Sequence, residues 1–246
     1  MRTLFIDADD TLWENNIFYE QCLAAFGALM AEQGFDRDEA EQTADTVERE
    51  RIPLVGYAVE EFARSLVIAY RQLCEQSERP CDEDVAAAAL EIGRRAAQYP
   101  IVLLEGVEET LARLRGRYRL VLLTKGDPVV QEDKLARSGL GRFFEEVHVV
   151  PEKDVDVFRR LILRYELEPE ETWMVGNSPR SDINPAVEAG IGAVYVPHPS
   201  TWDLEVEEVV ESDRVFVLRS FGELVTFLVE REVSERGGHH ARAEAA

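Results

Sequence analysis

Two hydrophobic rhythms divide the chain. Thr3 to Ile6 is an apolar run without polar alternation, the pattern of a strand buried on both faces. From residue 14 to residue 98 the apolar positions instead recur at helical spacing. Phe18, Tyr19, Cys22, Leu23, Phe26, Leu29 and Met30 share one stripe, Phe62, Leu66, Tyr70 and Leu73 another, and Val85, Ala89 and Ile92 a third. Gly34, Pro53, Gly56 and Ser77 to Pro80 read as breaks, giving a unit of about four helices whose only strand-like stretch is Ile52 to Val55.

From Tyr99 onward strands and helices alternate. Arg119 to Leu123, Val147 to Val150, Thr172 to Val175, Ala193 to Val196 and Val215 to Leu218 read as strands, with helical stretches such as Val107 to Arg117, Val129 to Ser138 and Val155 to Tyr165 between them. This alternation predicts an α/β fold with a Rossmann-like, mainly parallel sheet and helices on both faces. The expected organisation is a core of residues 1–13 and 99–232, a helical unit of residues 14–98, and a disordered tail of residues 233–246, which are small and charged.

Composition narrows the classes of function. With 46% hydrophobic and 31% charged residues the chain has the make-up of a globular protein, and no apolar run reaches the roughly 20 residues of a membrane helix. The N-terminus enters a strand without a signal-peptide pattern, so the expected location is cytoplasmic. A formal charge of -22 repels nucleic acid and anionic lipid, so neither is an expected partner. Cys22, Cys74 and Cys81 are an odd number without CxxC spacing, which argues against a disulfide framework or a zinc site. Among the 27 basic residues only Lys125, Lys134 and Lys153 are lysines, which hints that lysine is kept where a compact charge matters.

The candidate chemistry collects at strand ends, where ligands sit in such sheets. The first strand breaks into Asp7-Ala8-Asp9-Asp10-Thr11, and residues two apart in an extended segment share a face, so Asp7 and Asp9 address one volume. Two carboxylates there call for a compensating cation, and Mg²⁺ suits one or two carboxylates with phosphate oxygens and water. The second strand ends in Thr124-Lys125-Gly126, a hydroxyl with backbone N–H groups suited to phosphate oxygens. Lys153 follows the third strand and opens a helix; Lys134, inside a helix, reads as surface. After the fourth strand, Gly176-Asn177-Ser178-Pro179-Arg180-Ser181-Asp182 delivers Asn177 and Asp182.

In this order, each after an apolar strand, these four pieces resemble the motifs of the haloacid dehalogenase (HAD) superfamily. The resemblance covers residues 1–13 and about 100–220. It implies a Mg²⁺-dependent phosphohydrolase that acts on a small phosphorylated substrate through an aspartyl-phosphate. Asp7 is then the nucleophile, and Asp9 the acid that protonates the leaving oxygen and later activates water. The Asp7 side chain, the Asp9 carbonyl and Asp182 hold the metal, with Asn177 acting directly or through water. Thr124, Lys125 and Gly126 bind phosphate and Lys153 stabilises the transferring group. Two departures stand out. Asn177 replaces the first Asp of the fourth motif, and Asp10 replaces the glycine of DxDGT and reads as structural. The helical unit falls between the first and second motifs, as in family members with a helical cap, and only 28 residues separate Thr124 from Lys153, too few for a second lid.

A cap that excludes bulky partners favours a metabolite over a phosphoprotein. A phosphonatase is excluded by the lack of any lysine before Lys125. Asp9 and Asp182 favour phosphatase over haloacid dehalogenase, which, like a phosphomutase, is a lesser alternative. The main alternative is a non-catalytic phosphate-binding or regulatory protein of the same fold. On the helical side Glu14, Asn15, Asn16, Arg51, Gly56 and Tyr57 are candidates for lining the pocket, and His198 and Trp202 for bordering its entrance.

Overall fold

A computed structural model describes residues 1–243, with side chains described through Val233. The central strand is β1 (Thr3–Ile6), every residue of which is buried. Its neighbours are β2 (Arg119–Lys125) and β4 (Thr172–Gly176), with β3 (Glu146–Val150) beyond β2, and β5 (Gly192–Tyr195) and β6 (Val215–Val217) beyond β4. The order is β3-β2-β1-β4-β5-β6 and every pairing is parallel. Thr3 is in register with both Arg119 and Thr172. The winding reverses between β1 and β4, so the crevice beyond their carboxyl ends is where such a sheet takes ligands. The expected α/β architecture is present.

Period-two alternation gives the sheet two apolar faces. Leu4 and Ile6 face a cluster with α5 (Val107–Leu114) and α9 (Leu224–Ala243), through residues such as Val107, Leu111, Leu224 and Leu228. Phe5 faces the other way, onto α7 (Val155–Arg164) and α8 (Asn184–Glu188); its ring meets Phe158 edge-on at 6.3 Å. Asp127 caps α6 (Pro128–Ser138) and Asp154 caps α7, each accepting a backbone N–H at 2.8 Å. Lys153 is therefore fixed directly before a capped helix.

Four helices lie between β1 and α5: α1 (Asn16–Glu32), α2 (Arg37–Val55), α3 (Val59–Gln76) and α4 (Glu83–Arg94). They bury an apolar cluster of their own around Phe26, Met30, Phe62, Leu66, Leu73 and Ile92. A strand-like bridge from Trp13 to Leu103 ties the outgoing and returning chain together. Among the described residues no helix is long and apolar enough to cross a membrane.

Two expectations change. Ile52 to Val55 is the last turn of α2, not a strand, and Pro53 sits inside the helix. Pro53 gives up one i→i−4 hydrogen bond but sits so near the end that the helix closes two residues later at Val55, where Gly56, with φ of 75°, donates back to the Ile52 carbonyl at 2.9 Å. The tail expected to be disordered from residue 233 continues as helix to Ala243, because α9 is anchored on the core by Leu224, Val225 and Leu228 and elongation from an anchored helix is easy. Residues 244–246, the end of that tail, lie outside the described residues.

The helical unit is packed most tightly where α4 meets α3. A Cβ added at Gly93 would come 2.4 Å from the Ala63 Cα, a backbone atom that cannot step aside. Gly93→Ala is expected to destabilise the protein by about 1–3 kcal/mol despite alanine's higher helix propensity, read as a lower urea midpoint. An unchanged or raised midpoint would show that α3 and α4 are not in this contact.

Candidate active site

β1 delivers Asp7 to the crevice with its backbone N–H still held by the Val175 carbonyl of β4 at 2.9 Å. The Asp7 side chain is buried and is gripped from two sides. Lys153 Nζ donates to its Oδ1 at 2.5 Å and the Thr11 hydroxyl to its Oδ2 at 2.9 Å. The same ammonium reaches Asp182 Oδ1 at 2.5 Å, and Lys153 and Asp182 are both almost fully buried. Burial works against the Lys153 charge, but Asp182 and Asp7 outweigh it and hold the ammonium well above its usual range. Burial also pushes the Asp182 carboxyl up, and the like charge of Asp7 adds to the push while Lys153 opposes it. One cation shared by two carboxylates leaves the cluster one positive charge short.

Asp182 is set by its own turn. Ser178 caps the helical turn Pro179–Ile183 by accepting from Ser181 N at 2.9 Å, and Ser178 N donates back to Asp182 Oδ2 at 3.0 Å. The carboxylate folds over Gly176, where a Cβ would lie 2.2 Å from Oδ2, so the residue ending β4 has to be glycine. Asn177 lies beside them. Its Oδ1 accepts from Thr11 at 3.3 Å and its Nδ2 donates to Thr201 Oγ1 at 3.0 Å. The side-chain oxygens of Asp7, Asp182 and Asn177 form a hard donor set of the type that suits Mg²⁺, and the uncompensated charge favours a cation.

Asp9 turns away from Asp7. It accepts from Trp13 Nε1 at 2.7 Å, from Gln131 Nε2 at 2.8 Å, and from Lys134 Nζ at 3.0 Å through both of its oxygens. Burial raises the carboxyl, yet the Lys134 charge and these donors prevail and hold Asp9 below its ordinary range. Lys134, read from sequence as surface, is thus turned into the site, where it also donates to Asn15 Oδ1 at 2.7 Å. The first lysine, Lys125, pairs with Glu205 and donates to Ser181 Oγ at 3.1 Å, with its Nζ 4.4 Å above the Tyr57 ring. Glu205, which no motif signalled, also accepts from Ser178 Oγ at 2.6 Å and Ser181 Oγ at 2.5 Å. Thr124 is buried and lines the cleft. The Gly126 N–H is committed to the Val150 carbonyl at 3.1 Å, so the expectation that it is free for phosphate does not hold: the β2–β3 ladder extends one residue further than the sequence pattern suggests.

Asp10 has φ of 58°, the left-handed region in which glycine costs least and aspartate is tolerated. Its carboxylate accepts from Asn15 N at 2.8 Å and Asn16 N at 3.1 Å, closing the segment that leads into α1. Burial, together with the charges of Asp9 and Asp7, pushes it up to about 7. His198, from the loop after β5, stands 3.7 Å from Asp10 and 3.3 Å from Glu14; of these three only Asp10 lines the cleft.

The helical unit roofs a cleft of about 330 Å³ over these groups. Asn15, Asn16, Arg51, Gly56, Tyr57 and Trp202 line it as expected, whereas Glu14 and His198 do not. Contacts across the cleft include Tyr57 against Trp202 with ring centres 6.2 Å apart, and Arg49 to Asp203 at 3.6 Å. All three lysines of the chain line this one cleft.

Comparison with known proteins agrees with this geometry. Glyceraldehyde 3-phosphate phosphatase of Pyrococcus furiosus is 23% identical over 245 residues, 97% of this chain and 98% of the relative. Phosphoserine phosphatase of Thermus thermophilus is 36% identical over 109 residues, 42% of this chain and 43% of the relative. The crystal structure of a haloacid dehalogenase-like family hydrolase from Xanthomonas campestris superposes with a TM-score of 0.81 at 28% identity, over 98% of this chain and 94% of that one. With the haloacid dehalogenase-like hydrolase model matching residues 1–190, the chain belongs to that hydrolase family.

Proposed function

We propose that the protein is a phosphohydrolase that releases phosphate from a small phosphorylated metabolite through an aspartyl-phosphate. The observation that carries this reading is the buried Asp7 carboxylate, held by Lys153 and Thr11 at the floor of a roofed cleft. Both relatives described above are named as phosphatases of small phosphate esters, which supports the same reaction class.

Asp7 attacks phosphorus, forming an O–P bond as the bond to the ester oxygen breaks. Lys153 and Thr11 fix the attacking carboxylate, and the Lys153 charge also offsets charge that develops on the phosphoryl oxygens. Thr124 lies at the end of β2, suited to orienting those oxygens. Asp9, ionised in its clamp of Trp13, Gln131 and Lys134, serves as the base that draws a proton from water when the aspartyl-phosphate is hydrolysed. To protonate the leaving oxygen in the first step it has to leave Lys134, take up a proton from solvent as its carboxyl rises out of that clamp, and turn toward Asp7. The proton it then draws from water in the second step restores the acid. Asp7, Asp182, Asn177 and the Asp9 carbonyl are the groups assigned to Mg²⁺, which when bound supplies the missing positive charge and orients the phosphate. The helical roof acts as a cap that excludes water and large substrates.

Phosphate release from a panel of small phosphate esters is expected to require Mg²⁺ and to stop on chelation. Asp7→Asn, nearly isosteric, is expected to lower kcat by at least about 10³-fold while the chain stays folded. If the native chain binds phosphate and Mg²⁺ but releases nothing from any ester, the non-catalytic reading takes its place. The ammonium link is also testable through stability. Lys153→Met leaves two buried carboxylates without their partner and is expected to cost about 3–5 kcal/mol in urea unfolding at pH 7. A cost near zero would mean that Lys153 does not bridge Asp7 and Asp182.

A further inference from the structure

The roof of the cleft is unusually polar along one helix. Asp45, Glu48, Arg49 and Ile52 of α2, at spacings of three, four and seven, all face the cleft where a purely structural helix would present apolar groups. Charge in the cleft is already matched on the basic side. Lys153 is taken by Asp7 and Asp182, Lys134 by Asp9, Lys125 by Glu205, Arg51 by Glu61, and Arg49 by Asp45 at 2.7 Å. Among the cleft carboxylates that no lysine or arginine pairs with, Asp10, Glu20 and Asp127 hold hydrogen-bond donors instead. Glu48, half-buried, has no hydrogen-bond donor and no ion pair among the described residues. Burial and the neighbouring Asp45 charge push its carboxyl up to about 7 against the smaller opposing effect of Arg49, a guanidinium already held by Asp45 and Asp203, so a further cation there would be favoured.

Its place in the cleft suggests where that cation sits. Tyr19 of α1, Asp9 and Glu48 all line this cleft, between its floor and its roof. Asp9 attends the ester oxygen in the mechanism above, so the group that departs with that oxygen occupies the space that Tyr19 and Glu48 border. A hydroxyl there would donate one hydrogen bond and leave the charge uncancelled; an ammonium would cancel it. An ammonium also reduces the net negative charge of a phosphate ester, which eases its approach to a chain of charge -22.

We propose that the cleft selects phosphomonoesters of short amino alcohols, with Glu48 as the counter-charge for the substrate ammonium. The proposal names the substrate class of the phosphohydrolase reading and rests on it. The probes are 2-aminoethyl phosphate and propyl phosphate, which differ chiefly in the ammonium. Native protein is expected to show a kcat/KM at least about tenfold higher for the amine, a tenfold ratio being about 1.4 kcal/mol. Glu48→Gln, which keeps the side-chain size, is expected to bring the ratio near one by raising KM for the amine, and Glu48→Asp to retain part of the preference. Calorimetric binding of the same esters to Asp7→Asn, alone and combined with Glu48→Gln, reads the preference without turnover. Equal binding and equal kcat/KM of the two esters, or a preference that survives Glu48→Gln, overturns the proposal. Tighter Glu48-dependent binding of the amine with no hydrolysis of either ester by the native chain supports the ammonium site and removes only the phosphohydrolase reading.

Discussion

The ammonium of Lys153 between Asp7 and Asp182 is the interaction on which the rest of the site depends. Its three members come from the ends of β1, β3 and β4, which are far apart in sequence and meet only because the sheet is wound with β1 between β2 and β4. Each of the three charges is buried at a desolvation cost of several kcal/mol that only the others offset. Removing Lys153 therefore leaves two buried carboxylates without a cation at the switch point of the sheet, whereas removing one carboxylate leaves a neutral pair. The fold positions the triad, and the triad in turn holds three loops in register. Its charge is still negative by one unit, which favours a cation or a proton there.

The same electrostatic logic explains the local oddities. Gly176 is glycine because the Asp182 carboxylate occupies the space of a side chain, and Asp10 tolerates a positive φ because its carboxylate gains the amides that open α1. Asn177 removes one charge from the donor set, but its Oδ1 still faces Thr11 beside Asp7, so the set keeps its oxygen and loses only a negative charge. That loss lowers repulsion within a pair of carboxylates served by a single ammonium. It also reduces the attraction for a divalent metal, and the two effects oppose each other.

The sheet was legible in the sequence because β1, β2, β4 and β5 are largely buried and read as apolar runs, and the candidate site residues follow or close the first four strands. Asp7, Thr124, Lys153 and Asp182 were placed by those endings. Position along a helix misled in one case. Lys134 was set aside because most helical lysines face water, yet it lies on the turn of α6 that faces Asp9; lysine scarcity pointed to it, since all three lysines enter the cleft. Pro53 was taken as a break; α2 runs two residues past it and breaks at Gly56, within one turn of that reading. Glu205 was not legible at all. It comes from an irregular segment after β5, where neither period two nor period 3.6 applies, and only tertiary contact brings it to Lys125, Ser178 and Ser181.

The cleft also gives meaning to the charge of the chain. A net charge of -22 works against an anionic ester at long range, so binding has to be won at short range, and the cations that would do so are already held by carboxylates. An arrangement of this type discriminates: a ligand gains where it replaces one of these carboxylates at its cation, or where it brings a cation to the carboxylate that lacks one. On the roof, Glu48 has no hydrogen bond or ion pair of its own and feels only the charge of Arg49, which Asp45 holds, so a positively charged group is what would do the second there.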